Sequence, residues 1–249
     1  AVKGVYAGTE WKQEDFIKQL EFTKYQLSLM DQPKKKLSPG AYRTYLAPGA
    51  VAEICSMFAW EAMSYRAYKQ GNSSLKKLAD KEKSFSPKFS VSENFGLGLT
   101  HRFNSLGELA APKMELIKNG ELQTLMISSR SAKEFSIAGN AAEAHEAPRA
   151  LEISAGSLPK DDILKELGTG LYLSNLHYIN WSDRPTARIT GMTRYACFWV
   201  ENGQIVAPIE DLRFDESLYD CFGENLLAVT NFQEVDPNVS TYEQRAFGG

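Results

Sequence analysis

The feature that most constrains the fold is a pair of apolar β-like runs, residues 192–200 and 205–209, joined through Asn202 and Gly203. Asn-Gly between apolar runs predicts a two-residue β-hairpin, because a type I′ turn needs positive φ at both central positions. The same turn fixes the register of the two strands. The predicted cross-strand pairs are Glu201–Gln204, Val200–Ile205, Trp199–Val206 and Phe198–Ala207.

A third β-like run, residues 171–179, precedes this hairpin. Both sides of residues 192–200 are apolar near the turn, which predicts a sheet that is covered on both faces. Pro208 has no N–H to donate to a ladder, so it predicts an edge strand or a strand exit. A second Asn-Gly turn at residues 119–120 predicts another hairpin. Its predicted pairs are Lys118–Glu121, which are opposite in charge, Ile117–Leu122, Glu115–Thr124 and Met114–Leu125.

Helices are indicated where apolar residues recur at helical spacing. Residues 13–30 and 49–65 carry such stripes, and the second stripe is the wider of the two. Helices are also predicted over residues 159–167 and 215–229. Residues 128–149 show little periodicity and are predicted to form a long surface segment. Together these elements predict an α+β fold with mixed, largely antiparallel sheets, β-hairpins and a few packed helices.

Charge and composition exclude several classes of function. The chain has 249 residues and a formal net charge of −3, which argues against binding to nucleic acid or to an anionic membrane. No apolar run approaches the ~18–20 residues of a membrane span, and no signal peptide opens the chain. The three cysteines, Cys55, Cys197 and Cys221, are too few for a disulfide framework. A reducing, cytoplasmic setting is therefore expected.

The histidines do not form a metal-binding pattern. His101, His145 and His177 lie far apart in the sequence, whereas a zinc-binding helix carries closely spaced imidazoles. The predicted helix over residues 49–65 has no histidine. Nucleophilic catalysis has one candidate, a thiolate pair of Cys197 and His177, if their strands are neighbours. The alternative is that Cys197 packs as a small apolar residue in the core.

Three arginines, Arg184, Arg188 and Arg194, fall on or beside β-like runs that are otherwise rich in apolar residues. Arginine suits bidentate recognition of carboxylates, so these residues are candidates for gripping a peptide or a small ligand. The alternative is an internal role, in which they hold a loop together by pairing with aspartates. The candidate partners for that role are Asp183, Asp211 and Asp215.

Three blocks of this sequence resemble the C-terminal half of the TldD/PmbA family of peptidase-related proteins, also called modulators of DNA gyrase. They are LSPGAYRTYLAPGAVAEI at residues 37–54, the long run that begins GTGLYLSNLHYINWSDRPTARITGMTRY at residue 168 and extends to residue 219, and ENLLAVT at residues 224–230. The resemblance implies a C-terminal domain over residues 37–249, preceded by a helix and linker over residues 1–36. Full-length members of the family carry an additional N-terminal domain.

The resemblance also implies a function. Members pair with themselves or as a heterodimer of a TldD-like and a TldE/PmbA-like subunit, around a cleft that degrades unfolded peptides. In TldD-like subunits, His-Glu-x-x-x-His on a helix and a cysteine of the C-terminal tail bind zinc. Here the matching helix over residues 49–65 has no histidine, and no cysteine follows Val235. The chain therefore resembles the metal-free TldE/PmbA-like subunit, with no catalytic or metal-binding residues of its own and zinc expected only in a partner.

Two other functions remain open at this stage. One is a self-contained, metal-free hydrolase that uses Cys197 and His177. The other is a non-enzymatic module that binds peptides or small ligands through Arg184, Arg188 and Arg194. The charge and the motifs of the sequence give no support to an action on gyrase or on nucleic acid.

Overall fold

The computed structural model describes residues 1–237 of the chain. Helices and strands alternate irregularly along it. The helices are α1 (Gln13–Leu29), α2 (Pro48–Cys55), α3 (Tyr65–Lys69), α4 (Lys76–Ala79), α5 (Ser129–Phe135) and α6 (Ile163–Leu167). The strands are β1 (Thr44–Leu46), β2 (Val91–Asn94), β3 (Lys113–Lys118), β4 (Glu121–Leu122), β5 (Leu151–Ile153), β6 (Gly170–Asp183), β7 (Arg188–Glu201), β8 (Gln204–Pro208) and β9 (Arg213–Ser217).

The strands form two sheets. The larger, five-stranded sheet has the order β1-β6-β7-β8, and β9 pairs with the other half of β7. Within it β1 runs parallel to β6 and the other neighbours are antiparallel. The smaller sheet is antiparallel with the order β4-β3-β2-β5. The predicted α+β fold with mixed, largely antiparallel sheets is confirmed.

Both Asn-Gly turns are present, and Asn119, Gly120, Asn202 and Gly203 all have positive φ. In the β7–β8 hairpin the first two predicted pairs, Glu201–Gln204 and Val200–Ile205, are confirmed. The next two pairs are wrong by one residue, because a bulge next to Val200 shifts the register. The pairs that form instead are Trp199–Ala207 and Phe198–Pro208.

The β3–β4 hairpin keeps only its first two predicted pairs, Lys118–Glu121 and Ile117–Leu122. Strand β4 ends at Leu122, so the pairs predicted further along do not belong to the ladder. Lys118 forms its ion pair with Glu115 on its own strand, at 3.0 Å, and not with Glu121 as the opposite charges suggested. In both hairpins the Asn-Gly turn therefore predicts the first two cross-strand pairs, but not the pairs further from the turn.

The helix predicted over residues 49–65 is too long. Helix α2 ends at Cys55, and a 3₁₀ turn at Ser56–Ala59 follows it. Beyond the turn the backbone of Met63 accepts a hydrogen bond from the N–H of Met126 at 2.8 Å, and the chain bridges to that neighbouring segment. Because the apolar residues at positions 62 and 63 remain fully buried, the wide stripe was a signal of burial rather than of a continuous helix.

Two further predictions fail where tertiary contacts decide the structure. Residues 215–229 do not form one helix, because Arg213–Ser217 pairs with β7 as strand β9 and only residues 218–224 are helical. Residues 128–149 are not a surface segment, since they contain α5 and several fully buried side chains. Both stretches have weak helical periodicity, so their structure depends on pairing with distant parts of the chain.

Glu146 lies in the second of these stretches and is 1% exposed. Its Oε2 accepts hydrogen bonds from Ser64 Oγ at 2.6 Å and Arg66 N at 2.8 Å, at the start of α3. Its Oε1 accepts from Ser128 N at 3.0 Å and Ser128 Oγ at 2.9 Å, at the start of α5. One carboxylate therefore joins the N-termini of two short helices, which have unpaired N–H groups and a positive dipole end.

Helix α1 matches the helix predicted over residues 13–30, but its apolar stripe is not covered. Leu20 is 41% exposed and Leu27 is 53% exposed, and Gln26 is the buried residue of this helix. No helix in the described part of the chain is long and apolar enough to cross a membrane.

Helix α2 lies directly against β6, and Gly49 permits this approach. A Cβ atom at Gly49 would come within 2.5 Å of Asn175 Nδ2 and 3.3 Å of the backbone oxygen of Ser174. The face of α2 that carries Gly49 therefore packs against the middle of β6.

Candidate functional site

The three arginines predicted to bind a ligand lie at different places on the β6–β7 unit and have different partners. Arg184 begins the turn between β6 and β7, and its Nη1 lies 2.5 Å from Oε2 of Glu61. Arg188 is exposed at the start of β7, and Arg194 lies further along the same strand. The partner of Arg184 is thus Glu61, which ties the β6–β7 turn to the segment after α2. The internal pairing expected with Asp183, Asp211 or Asp215 is wrong in its partners.

A group of polar residues surrounds Arg194, where α2 approaches β6 and β7. Nη1 of Arg194 donates a hydrogen bond to Nδ1 of His177 at 2.8 Å. Glu53 on α2 is close enough for the charge of Arg194 to act on its pKa. Two tyrosines follow His177 and Arg194 in the sequence. We call these five residues the Arg194 cluster: Glu53, His177, Tyr178, Arg194 and Tyr195.

Both tyrosines of the Arg194 cluster have left-handed backbone conformations. The φ angle is 53° at Tyr178 and 62° at Tyr195. The β6–β7 ladder shifts its register beside each of them, so each belongs to a bulge. A left-handed residue other than glycine costs on the order of 1–3 kcal/mol and persists only where the surroundings hold it. Such strain concentrates at functional sites, where bulges also redirect side chains.

The aromatic rings of the Arg194 cluster support its polar groups. The ring centroid of Tyr178 lies 4.3 Å from that of His177, and the Tyr178 side chain is among the most exposed large side chains, at 78%. The guanidinium carbon of Arg194 lies 4.8 Å from the ring centroid of Tyr195. Stacking of this kind limits the freedom of a guanidinium and keeps its donors directed.

The electrostatics of the cluster favour hydrogen-bond donation. Arginine stays protonated, so Arg194 is the donor to His177 and Nδ1 of the histidine is the acceptor. A neutral imidazole in that arrangement carries its proton on Nε2, which is then a second donor. Burial raises the pKa of Glu53, and the carboxylate of Asp236 adds to this effect, whereas Lys3 and Arg194 lower it. The one carboxylate of the cluster therefore ionises less readily than usual.

The residues of α2 do not fit a zinc ion. This helix offers Glu53 and Cys55, and burial raises the pKa of the Cys55 thiol, which opposes the thiolate that zinc requires. Among residues 1–237, no group of three or more histidine, cysteine, aspartate or glutamate side chains is placed to hold a metal ion. No reaction step can be derived through a metal held by these residues.

The structure does not bring Cys197 and His177 together as a catalytic pair. The ladder places Leu173 opposite Cys197 but Met192 opposite His177, so the two residues are well separated along the strands. The thiol of Cys197 lies 3.3 Å from the backbone oxygen of Arg194, and burial raises its pKa. Cys197 is 4% exposed and belongs to the core, as the alternative interpretation of its sequence context expected.

Sequence reasoning missed three of the five residues of the Arg194 cluster. Tyr178 and Tyr195 gave no signal, because a left-handed tyrosine depends on which residues the ladder leaves unpaired. Glu53 was visible as the acidic residue on an apolar helix, but the sequence analysis did not predict that this helix packs closely on β6 at Gly49. A small residue at the start of the helix was the signal that could have indicated this close approach.

The chain matches the family model described as the PmbA/TldA metallopeptidase C-terminal domain over residues 39–244. A relative named Metalloprotease PmbA, from Escherichia coli O157:H7, is 30% identical over 141 residues, which are 55% of this chain and 29% of that protein. The Metalloprotease PmbA homolog of Haemophilus influenzae is 30% identical over 131 residues, which are 51% of this chain and 27% of that protein. The matched part spans less than a third of either relative.

Solved structures show the same fold. A putative modulator of a DNA gyrase from Thermotoga maritima has a TM-score of 0.74 at 19% identity, over 91% of this chain and 52% of that one. TldE from Thermococcus kodakarensis has a TM-score of 0.73 at 15% identity, over 90% of this chain and 52% of that one. The chain therefore spans about half the length of these proteins. Together with the match over residues 39–244, these findings show that the chain belongs to the TldD/PmbA family and contains its C-terminal domain.

Proposed function

We propose that this chain is a subunit of a peptidase assembly that binds unfolded or short peptides and has no catalytic metal of its own. The class of activity is suggested by relatives that carry the name metalloprotease. The observation that carries the proposal is the composition of α2, which offers Glu53 and a buried Cys55 but no histidine. Hydrolysis would then depend on a partner that holds zinc.

The outer edge of β9 supports a role in peptide binding. Strand β9 pairs with β7 on one side, and no strand of the described chain pairs with its other side. An extended peptide can add to such an edge through backbone hydrogen bonds. The neighbouring strand β7 carries Arg188 and Arg194, so side chains suited to carboxylates lie one strand away from that edge.

The expected partner is a second copy of this chain or a TldD-like subunit with the His-Glu-x-x-x-His motif. Zinc would be bound by that subunit and not by this chain. A cytoplasmic location fits the three free cysteines, of which Cys55 and Cys197 are buried. Neither nucleic acid nor a membrane is expected as a partner, because the net charge is −3 and no basic patch was found in the sequence.

The proposal is tested by incubating the purified chain with a labelled, unstructured peptide, with and without added zinc. We expect binding of the peptide without cleavage, and cleavage only when a TldD-like subunit co-purified from the source cells is added. A chelator should abolish cleavage by the mixture and leave binding by the isolated chain unchanged. Chelator-sensitive cleavage by the isolated chain would contradict the proposal.

Two competing functions make different predictions in the same experiment. A metal-free hydrolase would cleave the peptide alone and would lose this activity when its thiols are alkylated. The separation of Cys197 from His177 in the ladder speaks against it. A binding module with no proteolytic role would bind the peptide, yet no TldD-like subunit would co-purify with it.

A further inference from the structure

We infer that the Arg194 cluster binds a carboxylate group of a peptide, through the guanidinium of Arg194 and Nε2 of His177. This inference rests on the proposed function, since it names the group of the peptide that the chain recognises. It replaces the clamp of three arginines expected from the sequence by a smaller site around one of them.

Arg194 has no carboxylate partner among the described residues, which is also true of Arg188, but unlike Arg188 it is held in place by His177 and Tyr195. Arg184 is paired with Glu61, and Arg213 lies 3.6 Å from Asp215. No ion pair of Arg194 with a carboxylate is present among residues 1–237, although its Nη1 is bound to His177. A guanidinium has five N–H donors in a planar fork, so donors remain for a ligand.

His177 supplies a second donor in a fixed orientation. Its Nδ1 accepts from Arg194, so a neutral ring presents an N–H at Nε2. The ring of Tyr178 packs beside the imidazole at 4.3 Å and restricts its rotation. Because Arg194 is stacked on Tyr195 in a similar way, both donors are oriented before a ligand arrives. Orientation of this kind reduces the entropy lost on binding.

The strained backbone gives an independent indication of a ligand. Tyr178 and Tyr195 flank the Arg194–His177 pair, and both keep left-handed conformations that glycine would adopt more easily. Tyr178 is 78% exposed, so little packing within the chain is gained from its large side chain. An exposed aromatic ring beside two oriented donors is suited to contact the apolar part of a peptide.

The charge of the cluster favours a carboxylate over a phosphate. Arg194 is the one permanent cation among the five residues, and a carboxylate brings one negative charge whereas a phosphate dianion brings about two. The planar fork of arginine also matches the two oxygens of a carboxylate. The carboxylate could belong to the C-terminus of the peptide or to an aspartate or glutamate side chain.

Fluorescence anisotropy with a set of matched, labelled, unstructured peptides distinguishes these sources. One peptide has a free C-terminus, a second has a C-terminal amide, and a third has the amide and an internal glutamate. We expect the free acid or the glutamate peptide to bind about tenfold or more tightly than the neutral amide, as a charge-assisted bidentate contact predicts. Whichever of the two acids is preferred identifies the source of the carboxylate.

The preference should depend on Arg194. In Arg194→Gln we expect the difference between acid and amide to fall to less than about twofold, with binding of the amide unchanged. Arg130→Gln, which alters an exposed arginine on α5, is the control and should keep the full preference. If Arg194→Gln does not fold, Arg194→Lys keeps a positive charge but loses the fork, and the preference should fall by about threefold or more.

The same binding measurements distinguish a failure of the carboxylate site from a failure of the proposed function. Equal binding of acid and amide peptides by the unaltered chain would overturn the carboxylate site and leave a peptide-binding subunit in place. An undiminished preference in Arg194→Gln would likewise overturn the site. If none of the peptides binds to the unaltered chain, the proposed function itself fails.

Discussion

The substitution Glu146→Gln removes a charge that joins two helix N-termini, and the structure allows its cost to be worked out. Each carboxylate oxygen accepts from one hydroxyl and one backbone N–H, the N–H of Arg66 on one side and of Ser128 on the other. A glutamine keeps one oxygen and replaces the other by NH₂. A hydroxyl can turn to accept from the NH₂ group, but a backbone N–H cannot. Either amide orientation therefore leaves one backbone N–H without an acceptor.

The expected loss of stability is about 3 kcal/mol. An unsatisfied buried donor costs roughly 1–3 kcal/mol, and the remaining hydrogen bonds lose their charge assistance at about 1 kcal/mol. For a chain of this size, this corresponds to a fall in melting temperature of roughly 6–12 °C. The measurement is unfolding by guanidinium chloride or heat, followed by circular dichroism. Glu134→Gln, an exposed glutamate on α5, is the matched control and should change stability by less than about 0.5 kcal/mol.

The pH dependence of this loss gives a second check. Burial raises the pKa of Glu146, but hydrogen bonds from serine hydroxyls and from the backbone outweigh it and leave the pKa below its ordinary value of 4.5. A lowered pKa means that the carboxylate stabilises the fold above the pKa of the unfolded chain, and that this stabilisation is lost as the pH falls through the folded pKa. The difference between Glu146→Gln and the unaltered chain should therefore shrink as the solution is acidified below pH ~4.5. A loss as small as that of Glu134→Gln, or one that does not change with pH, would refute this account of Glu146.

Three further outcomes are expected. Gly170→Ala should destabilise the chain by roughly 2 kcal/mol or more, because its Cβ would lie 2.1 Å from the backbone oxygen of Arg43; an unchanged denaturation midpoint would contradict this contact. Tyr178→Gly should raise stability by roughly 0.5–1 kcal/mol, since it relieves a φ of 53°, and should weaken peptide binding; lower stability with unchanged binding would show that the tyrosine serves the fold alone. The buried thiol of Cys197, whose pKa is raised by burial, should react with a thiol reagent much more slowly in the folded than in the unfolded chain; equal rates would place it at the surface.

The sequence predicted the parts of the fold that local chemistry determines. The Asn-Gly turns at residues 119–120 and 202–203 require positive φ, and both hairpins form with the expected first pairs. Gly168 ends α6 with positive φ, as expected for a residue that follows a helix. Pro208 lies on β8 at the edge of its sheet. In each of these cases one or two residue types decide the backbone conformation without help from distant contacts.

The sequence could not predict features that arise from pairing between distant segments. The bulge in β7–β8 shifts two pairs, and no residue type in the turn indicates it. Strand β9 forms because β7 is available as its neighbour, which overrides a weak helical pattern. The buried role of Glu146 depends on α3 and α5 meeting at one point.

The sequence indicated two residues of the Arg194 cluster, Arg194 and His177, and the ligand-binding role of the three arginines stays a prediction. Arg194 remains a candidate, whereas Arg184 is held by Glu61 and Arg188 lies at the far end of β7. Arg194 and His177 were each noticed in the sequence but were assigned to different hypotheses. Only the structure shows that they are diagonal neighbours on the paired strands β6 and β7, with Asn175 opposite Arg194 and Met192 opposite His177, and that their side chains are joined by a hydrogen bond. The tyrosines beside them required knowledge of the bulges.

The central claim is that this chain has no zinc site of its own. The most direct measurement is elemental analysis of the purified chain after incubation with zinc and removal of unbound metal by gel filtration. The account predicts less than about 0.1 zinc ion per chain, because α2 offers Glu53 and a buried Cys55 in place of imidazoles. One tightly held zinc ion per chain would contradict it.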